Sequence, residues 1–148
     1  MIEADTHHPI NNVEKQRSGI PLTDQDRAEW LDKLAAHINA LDEQRLVFAC
    51  SALTQYVQKR LIQDLSYECM WILLNVPAPE LSRRLKARTD HFMPESLLND
   101  QLAALTPPDD AFCLDGGKPV DEICDAIIEL CAQNPDRRSQ HNSPARDE

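Results

Sequence analysis

Three short apolar runs, separated by stretches with helical periodicity, restrict the fold of this chain more than any other feature. The runs are "RLVFAC" (45–50), "CMWILLN" (69–75) and "AFCLD" (111–115), and glycines at 116 and 117 end the third. All three are apolar on both faces, which is typical of parallel strands covered on both sides by helices. The alternation predicts βαβ units and a mostly parallel sheet, with a further short strand at the N-terminus.

The stretches between the runs carry helical signals. The first helix is predicted to begin at Thr23, which forms an acidic version of a capping box with Asp26 three residues on. Its core face is predicted from apolar residues spaced three and four apart, namely Trp30, Leu31, Leu34, Ile38 and Leu41. Further helices are predicted at 53–65, 79–88 and 94–105, and in the segment that carries Val120, Ile123, Ile127, Leu130 and Cys131. The predicted fold class is α/β, a three-layer parallel sheet with helices on both faces.

Length and charge limit the classes of partner. The 148 residues suit one domain, predicted at 1–133, and the polar segment 134–148 is predicted to be a disordered tail. A formal net charge of −10 argues against nonspecific binding to nucleic acid, which needs a basic surface. No apolar run approaches the roughly 18 residues of a membrane span, and "MIEADTHHP" lacks the features of a secretory signal. We therefore expect a cytoplasmic protein without a membrane partner.

The cysteines and histidines give no metal-binding pattern. The five cysteines, at 50, 69, 113, 124 and 131, are odd in number and widely spaced, and no CxxC occurs. They are interpreted as buried free thiols rather than as a zinc site or a disulfide framework. The adjacent His7 and His8 have no partner at a helical spacing of four, so they do not indicate a metal site.

Parallel sheets place ligands at the carboxyl ends of their strands, and three segments of the chain occupy such positions. They are "EADTHHP" after the short first strand, "CSAL" after the second and "LNVPAPE" after the third. Their polar residues are the first candidates for a functional site.

Longer segments around these positions resemble the gluconokinase family of small P-loop kinases, which are of the nucleoside-monophosphate-kinase type. The resemblance covers about residues 1–130 and rests on "HHPINNVEKQRSGIPLTDQDRAEWL", "ACSAL" and "RLKARTDHFMPESLLNDQLAAL". It implies a P-loop kinase fold and a transferase of carbohydrate metabolism, active in gluconate utilization. The implied reaction is the ATP-dependent phosphorylation of D-gluconate to 6-phospho-D-gluconate.

The resemblance also implies roles for individual residues. Asp5 matches the residue that orients the sugar-acid hydroxyl and accepts its proton, and Glu3 would lie near Mg²⁺. His8 and Arg27 match residues expected to bind the sugar acid. Arg84 and Arg88 match arginines of a lid that closes over the ATP phosphates. Without the resemblance, Arg27 is interpreted as a solvated helix residue or a partner of Asp24. The basic cluster is then interpreted as a solvated helix face; it consists of Arg83, Arg84, Lys86 and Arg88.

One part of the family pattern does not occur in this sequence. Kinases of this kind carry GxxGxGK[ST] between their first strand and first helix, where it holds the phosphates. The three glycines, Gly19, Gly116 and Gly117, do not form that motif, and the resemblance begins at the family's second strand. It therefore implies a chain that lacks the N-terminal Walker A segment and the first β-loop-α unit, with an incomplete ATP site. Because the family's first strand lies between its third and fourth, the strands at 45–50 and 69–75 should have unpaired edges or pair with each other.

Three interpretations of the chain's function are left open by these observations. The first is the family reaction, with D-gluconate and MgATP as ligands and the Walker A segment encoded upstream of Met1. The second is a noncatalytic kinase-like binding module, and the third is a fragment without function. The oligomeric state is left open as well, with a homodimer as one alternative.

Overall fold

The computed structural model describes residues 1–88 and 94–134, which form an α/β fold with parallel strands and helices on both sides. The strands are β1 (Ile2–Glu3), β2 (Phe48–Ala49), β3 (Ile72–Asn75) and β4 (Phe112–Asp115). The helices are α1 (Ile10–Arg17), α2 (Asp24–Asn39), α3 (Gln55–Asp64), α4 (Ala78–Ala87), α5 (Leu98–Ala104) and α6 (Val120–Gln133). Short 3₁₀ turns occupy Ala4–His7 and Glu95–Leu97.

The strands form two separate parallel pairs. In the β1–β2 pair Ile2 lies opposite Phe48, and in the β3–β4 pair Ile72 lies opposite Phe112. Strands β2 and β3 do not pair with each other, so each has one unpaired edge within the part of the chain that the structure describes. Of the two arrangements expected for these strands, the structure has the one with unpaired edges.

The hydrophobic core lies between α2 and α3. Helix α2 contributes the face predicted from its sequence, with Trp30, Leu31, Leu34 and Ile38 all at most 2% exposed. The fifth predicted residue, Leu41, follows the helix, because α2 ends at Asn39. Helix α3 packs on this face through apolar residues of its own and the leucine that follows it, namely Val57, Leu61 and Leu65.

The second strand pair is less well covered. No residue of α4 or α6 is buried, and Leu74 of β3 and Val120 of α6 are 48% and 72% exposed. The prediction that the apolar runs are covered on both faces is therefore wrong for β3. Beside β2, Val47 is also exposed. A strand with a partner on one side only leaves part of its apolar surface uncovered, which explains the difference.

The predicted element bounds need several corrections. All three apolar runs form strands, but the run at 45–50 contributes only two residues to β2. The helix predicted at 94–105 begins as a 3₁₀ turn and becomes α5 at Leu98. Helix α1 was not predicted. The tail predicted at 134–148 lies outside the described residues except for Asn134, which caps α6.

All five cysteines are free, as predicted, but they are not all buried. Cys113 and Cys124 are exposed, because they lie in the poorly covered second half of the fold. Burial raises the pKa of Cys69 to about 11, so its thiol stays protonated and unreactive at neutral pH. Among the helices of the described ranges, none combines the length and apolar character needed to cross a bilayer.

Candidate functional site

The 3₁₀ turn after β1 brings Asp5 to the carboxyl end of that strand. Thr6 stabilises the turn by donating its hydroxyl proton to the Glu3 carbonyl oxygen at 2.7 Å. Trp30 anchors the turn to the core, because its indole Nε1 donates to the carbonyl oxygen of the fully buried Ala4 at 2.8 Å. The Asp5 side chain is 32% exposed and therefore accessible to a ligand.

His8 lies between Asp5 and the core. Its ring stacks on the Trp30 indole with a centroid distance of 4.4 Å, and its Nε2 lies 3.9 Å from Asp5 Oδ1. Burial lowers the pKa of His8 to about 4; the Asp5 carboxylate opposes this shift and the Arg27 guanidinium adds to it. The imidazole is therefore neutral at pH 7.

Asn12 assigns the protonated nitrogen of that ring. Its Nδ2 donates to the Asp26 carbonyl oxygen at 2.7 Å and lies 3.4 Å from His8 Nδ1. A backbone carbonyl can only accept, so the amide nitrogen must face both groups, and Nδ1 then acts as the acceptor. The proton of the neutral ring lies on Nε2, the nitrogen nearest Asp5.

Arg27 lies at the start of α2 and contributes the positive charge. Its Nη1 donates to Asp24 Oδ1 at 3.2 Å, which is the pairing expected without the family resemblance. The side chain is only 15% exposed, so it is not a solvated helix residue. Its charge also lowers the pKa of His8, so Arg27 acts on the same imidazole that Asp5 approaches.

The predicted capping box fixes the first turn of α2, from which the Arg27 side chain extends. Thr23 N donates to Asp26 Oδ2 at 2.7 Å, and Asp26 N donates to Thr23 Oγ1 at 3.3 Å. Lys15 of α1 donates to the same carboxylate at 2.6 Å. These bonds, above all the one from Lys15, lower the pKa of Asp26 to about 2. Asp26 thus joins α1 to the start of α2.

A cavity of about 150 Å³ adjoins Arg27. It lies between the end of α1, the start of α2, the segment after β2 and helix α5. Residues that line it include Gln16, Arg27, Leu53, Thr54, Asp100 and Gln101. It thus contains one cation, one carboxylate and uncharged polar groups, a combination suited to a small polar ligand.

The end of the "CSAL" segment and the residue after it, Leu53 and Thr54, line this cavity, and two polar side chains hold this part of the chain in place. Thr54 caps α3 by accepting from Val57 N at 3.4 Å. The amide of Gln58, which is 6% exposed, donates to the carbonyl oxygens of Ala52 at 2.9 Å and Thr106 at 2.7 Å. Ala52 itself has a φ of 38°, a left-handed conformation that is uncommon for a residue with a Cβ.

Carboxylates from the β1 end also lie near Cys50 at the end of β2. Burial raises the pKa of Cys50 to about 12, and the charges of Asp5 and Glu3 raise it further, so the thiol is not a nucleophile. Glu3 is exposed. No group of three or more His, Cys, Asp or Glu side chains suited to a metal ion occurs within residues 1–88 and 94–134.

The lid arginines of the prediction occupy a different part of the fold. Arg84 Nε donates to Glu80 Oε1 at 2.7 Å and its Nη2 to the Gly116 carbonyl oxygen at 3.0 Å. Arg88 follows the end of α4 with an extended backbone. In the described ranges neither makes a hydrogen bond or ion pair to Asp5, His8 or Arg27. The "DHF" segment that follows them lies outside the described residues.

A larger hollow of about 610 Å³ lies at the opposite ends of β1 and β2. It is lined by Met1, Leu41 and Val47, of which Met1 is 95% exposed, so it is an open depression rather than an enclosed site. Its position at the amino ends of the strands separates it from the polar cluster, and size alone does not make it the functional site.

The structure therefore places Asp5 beside His8 and the charge of Arg27 within range of the same imidazole, whereas Arg84 and Arg88 make no hydrogen bond or ion pair with these three among the described residues. Three neighbours were missed in the sequence, namely Asn12, Lys15 and Gln16, all on the unpredicted helix α1. The "NN" pair and the "EKQ" triplet contain polar residues at a helical spacing of four, Asn12 and Gln16, which was the available signal.

Comparison with known proteins was made by sequence and by structure. No family model matches the chain. It is 39% identical over 134 residues to the gluconokinase of Gluconobacter oxydans, covering 85% of this chain and 73% of that protein. It is 38% identical over 124 residues to a probable gluconokinase of Xenopus tropicalis, covering 72% of this chain and 64% of that protein. The chain thus spans slightly less than two thirds of the Xenopus relative.

The fold has a close structural counterpart. A crystal structure of a gluconokinase from Sinorhizobium meliloti superposes with a TM-score of 0.75 at 32% sequence identity. That superposition covers 94% of this chain and 82% of the other. The sequence and structural likenesses therefore point to the same group of proteins.

Proposed function

This chain belongs to the gluconokinase family, and we propose that the carboxyl end of β1 holds D-gluconate for phosphorylation by MgATP to 6-phospho-D-gluconate. The observation that supports this most directly is geometric: His8 Nε2 lies 3.9 Å from Asp5 Oδ1, and the charge of the half-buried Arg27 acts on the pKa of the same imidazole. A carboxylate, a neutral imidazole and a guanidinium together offer a proton acceptor and several donors. A polyhydroxy carboxylate needs a proton acceptor for the hydroxyl that reacts and hydrogen-bond donors for its other oxygens.

In this proposal Asp5 orients the hydroxyl that is phosphorylated and accepts its proton. Phosphoryl transfer depends mainly on a positioned acceptor and on stabilisation of charge, so one well-placed carboxylate is sufficient for the acceptor side. The partial exposure of Asp5 leaves its oxygens within reach of a ligand. Trp30 holds the Asp5 turn through Ala4 and is a positioning residue.

His8 and Arg27 bind the rest of the substrate. The neutral His8 ring carries its proton on Nε2 and can donate it to a hydroxyl oxygen. Arg27 uses one of its five N–H donors for Asp24, which is 53% exposed and forms a weak pair, so the others are available for the gluconate carboxylate.

Glu3 and Asp5 are the residues that would hold Mg²⁺. Protein sites usually bind this ion through one or two carboxylates together with phosphate oxygens, so a pair of carboxylates fits it without a larger cluster. Both side chains influence the pKa of Cys50, which is consistent with their common location. When bound, the ion offsets negative charge on the ATP phosphates.

Arg84 and Arg88 are proposed to contact the ATP phosphates. Arg84 is engaged with Glu80 and the Gly116 carbonyl, so it would have to exchange at least one of these bonds for a phosphate. Arg88 makes no ion pair with any residue of the described ranges. Guanidinium groups bind phosphate oxygens in a bidentate manner, which suits this role.

Turnover of D-gluconate by the full chain tests the proposal. We expect formation of 6-phosphogluconate to require Asp5, so that D5N abolishes it while the exposed control D109N does not. Binding of D-gluconate without turnover would support the noncatalytic module instead. If the wild-type chain neither binds nor phosphorylates D-gluconate, the proposed function is wrong.

A further inference from the structure

Gln16 stands out among the buried polar residues. Asn12, Gln16 and Gln58 are each less than 9% exposed. Asn12 donates to Asp26 and Gln58 to two carbonyl oxygens. The Gln16 Oε1 atom is also buried, yet it has no hydrogen-bond partner among residues 1–88 and 94–134. An unpaired polar atom out of contact with water destabilises a fold, so a group in this state calls for a partner.

The position of Gln16 indicates what that partner is. The residue lines the 150 Å³ cavity next to Arg27 and Thr54. A cavity of this size holds about five waters at their liquid volume, or one small organic molecule. Gln16 and Arg27 are both in its lining, so a rotation of the Gln16 amide about its last bond would turn Oε1 towards a ligand bound at Arg27.

We propose that Gln16 determines the specificity of this cavity by hydrogen bonding to a hydroxyl group of the bound acid. This inference rests on the proposed function, in which Arg27 binds the carboxylate of the same molecule. A hydroxyl both donates and accepts, so it satisfies the amide whichever terminal atom of Gln16 faces it. A methylene at the same place would leave the amide unpaired, and the deoxy acid is therefore discriminated against.

The chemistry of the site selects one ligand class. Arg27 favours an anion, and Asp100, which also lines the cavity, disfavours a second negative charge. The uncharged amide of Gln16 then favours a hydroxyl over a further carboxylate. The site is suited to a monoanionic hydroxy acid rather than to a phosphorylated or dicarboxylic one.

The substitution Q16M tests this role, because methionine has nearly the same shape and lacks the amide. The matched control is Q63M, which makes the same change at an exposed position of α3. Binding of D-gluconate and of its monodeoxy analogues to the full chain is measured by calorimetry. The side-chain amide signals of Gln16 are followed by NMR in the same titrations.

We expect Q16M to bind D-gluconate about 10- to 100-fold more weakly than wild type and Q63M to bind it equally. One monodeoxy analogue should bind wild type and Q16M with the same low affinity. The hydroxyl that this analogue lacks is then the one that Gln16 contacts. Equal affinity of wild type and Q16M for D-gluconate overturns the inference and leaves the proposed function intact. If D-gluconate does not bind wild type, the proposed function fails. In that case an unchanged Gln16 signal with glycerate, D-mannonate and D-galactonate overturns the inference as well, whereas a shift with one of them supports it.

Discussion

The indole Nε1 of Trp30 donates a 2.8 Å hydrogen bond to the carbonyl oxygen of Ala4, and both residues are almost completely buried. The same indole stacks on the ring of His8. One residue of the α2 core face thus holds the turn that carries Asp5 and the imidazole beside it. The stability of the core and the geometry of the candidate site are joined at this position.

Replacing Trp30 by phenylalanine should weaken both the core and the turn that carries Asp5. W30F leaves the Ala4 carbonyl oxygen buried without a donor and opens space under the turn, so we expect a loss of about 2–4 kcal/mol in the free energy of unfolding. Urea denaturation measures the loss. The control W71F changes a partly buried tryptophan at the edge of the core and should cost less. Equal losses in the two variants would show that the bond to Ala4 contributes little.

His8 should make the stability of the chain depend on pH below neutrality. Its pKa is about 4 in the folded chain against 6.5 for an ordinary histidine, so the unfolded chain binds a proton more readily between these values. The free energy of unfolding should therefore fall as the pH drops from 6.5 to 4, by at most about 3 kcal/mol.

The variant H8F keeps an aromatic ring on Trp30 but cannot titrate. Its free energy of unfolding should change less over this pH range than that of wild type, as measured by urea denaturation at a series of pH values. The control H37F removes an exposed imidazole from α2 and should keep the wild-type slope. A wild-type slope in H8F would mean that His8 is not the group responsible.

Asp26 should contribute stability that is lost only in strong acid. Its pKa is lowered to about 2 by Lys15 and Thr23, so the contribution is complete above pH 4 and disappears as the pH falls towards 2. D26N should cost about 1–2 kcal/mol at pH 7, after allowance for partial exposure. The difference from wild type should shrink below pH 4, whereas the exposed control D42N should change little at any pH.

How far the sequence predicted this fold depends on the range of the interactions. The capping box of Thr23 and Asp26 and the core face from Trp30 to Ile38 were predicted correctly, because both depend on neighbouring residues of one helix. The strands were also located, but not their burial. The exposure of Leu74 follows from which strands pair, and pairing is decided by residues far apart in the chain.

The candidate site was also predicted only in part. Asp5, His8 and Arg27 were identified through a family resemblance, and the structure brings them together. Gln16 was not, since its burial depends on how α1 packs beside α2, and the spacing of Asn12 and Gln16 does not by itself show that packing. Gln58 was not assigned a role from the sequence either, whereas its amide joins the segments that contain Ala52 and Thr106.

That amide gives a further prediction. Q58L should leave the carbonyl oxygens of Ala52 and Thr106 without a donor and lower the free energy of unfolding by about 2–4 kcal/mol. Amide exchange should also accelerate at Thr106, whose N–H donates to the Leu53 carbonyl oxygen at 2.9 Å. The exposed control Q63L should change neither quantity. Unchanged exchange at Thr106 in Q58L would contradict a role of Gln58 in holding the two loops together.

The central claim is that Asp5, His8 and Arg27 form a binding site for D-gluconate, and calorimetric titration of the full chain tests it most directly. We predict saturable binding with one site per chain, and an affinity at least 10-fold lower in R27M than in wild type. R17M, which removes an exposed arginine of α1, should bind as wild type does. Absence of saturable binding by wild type, or equal affinities of wild type and R27M, would contradict the claim.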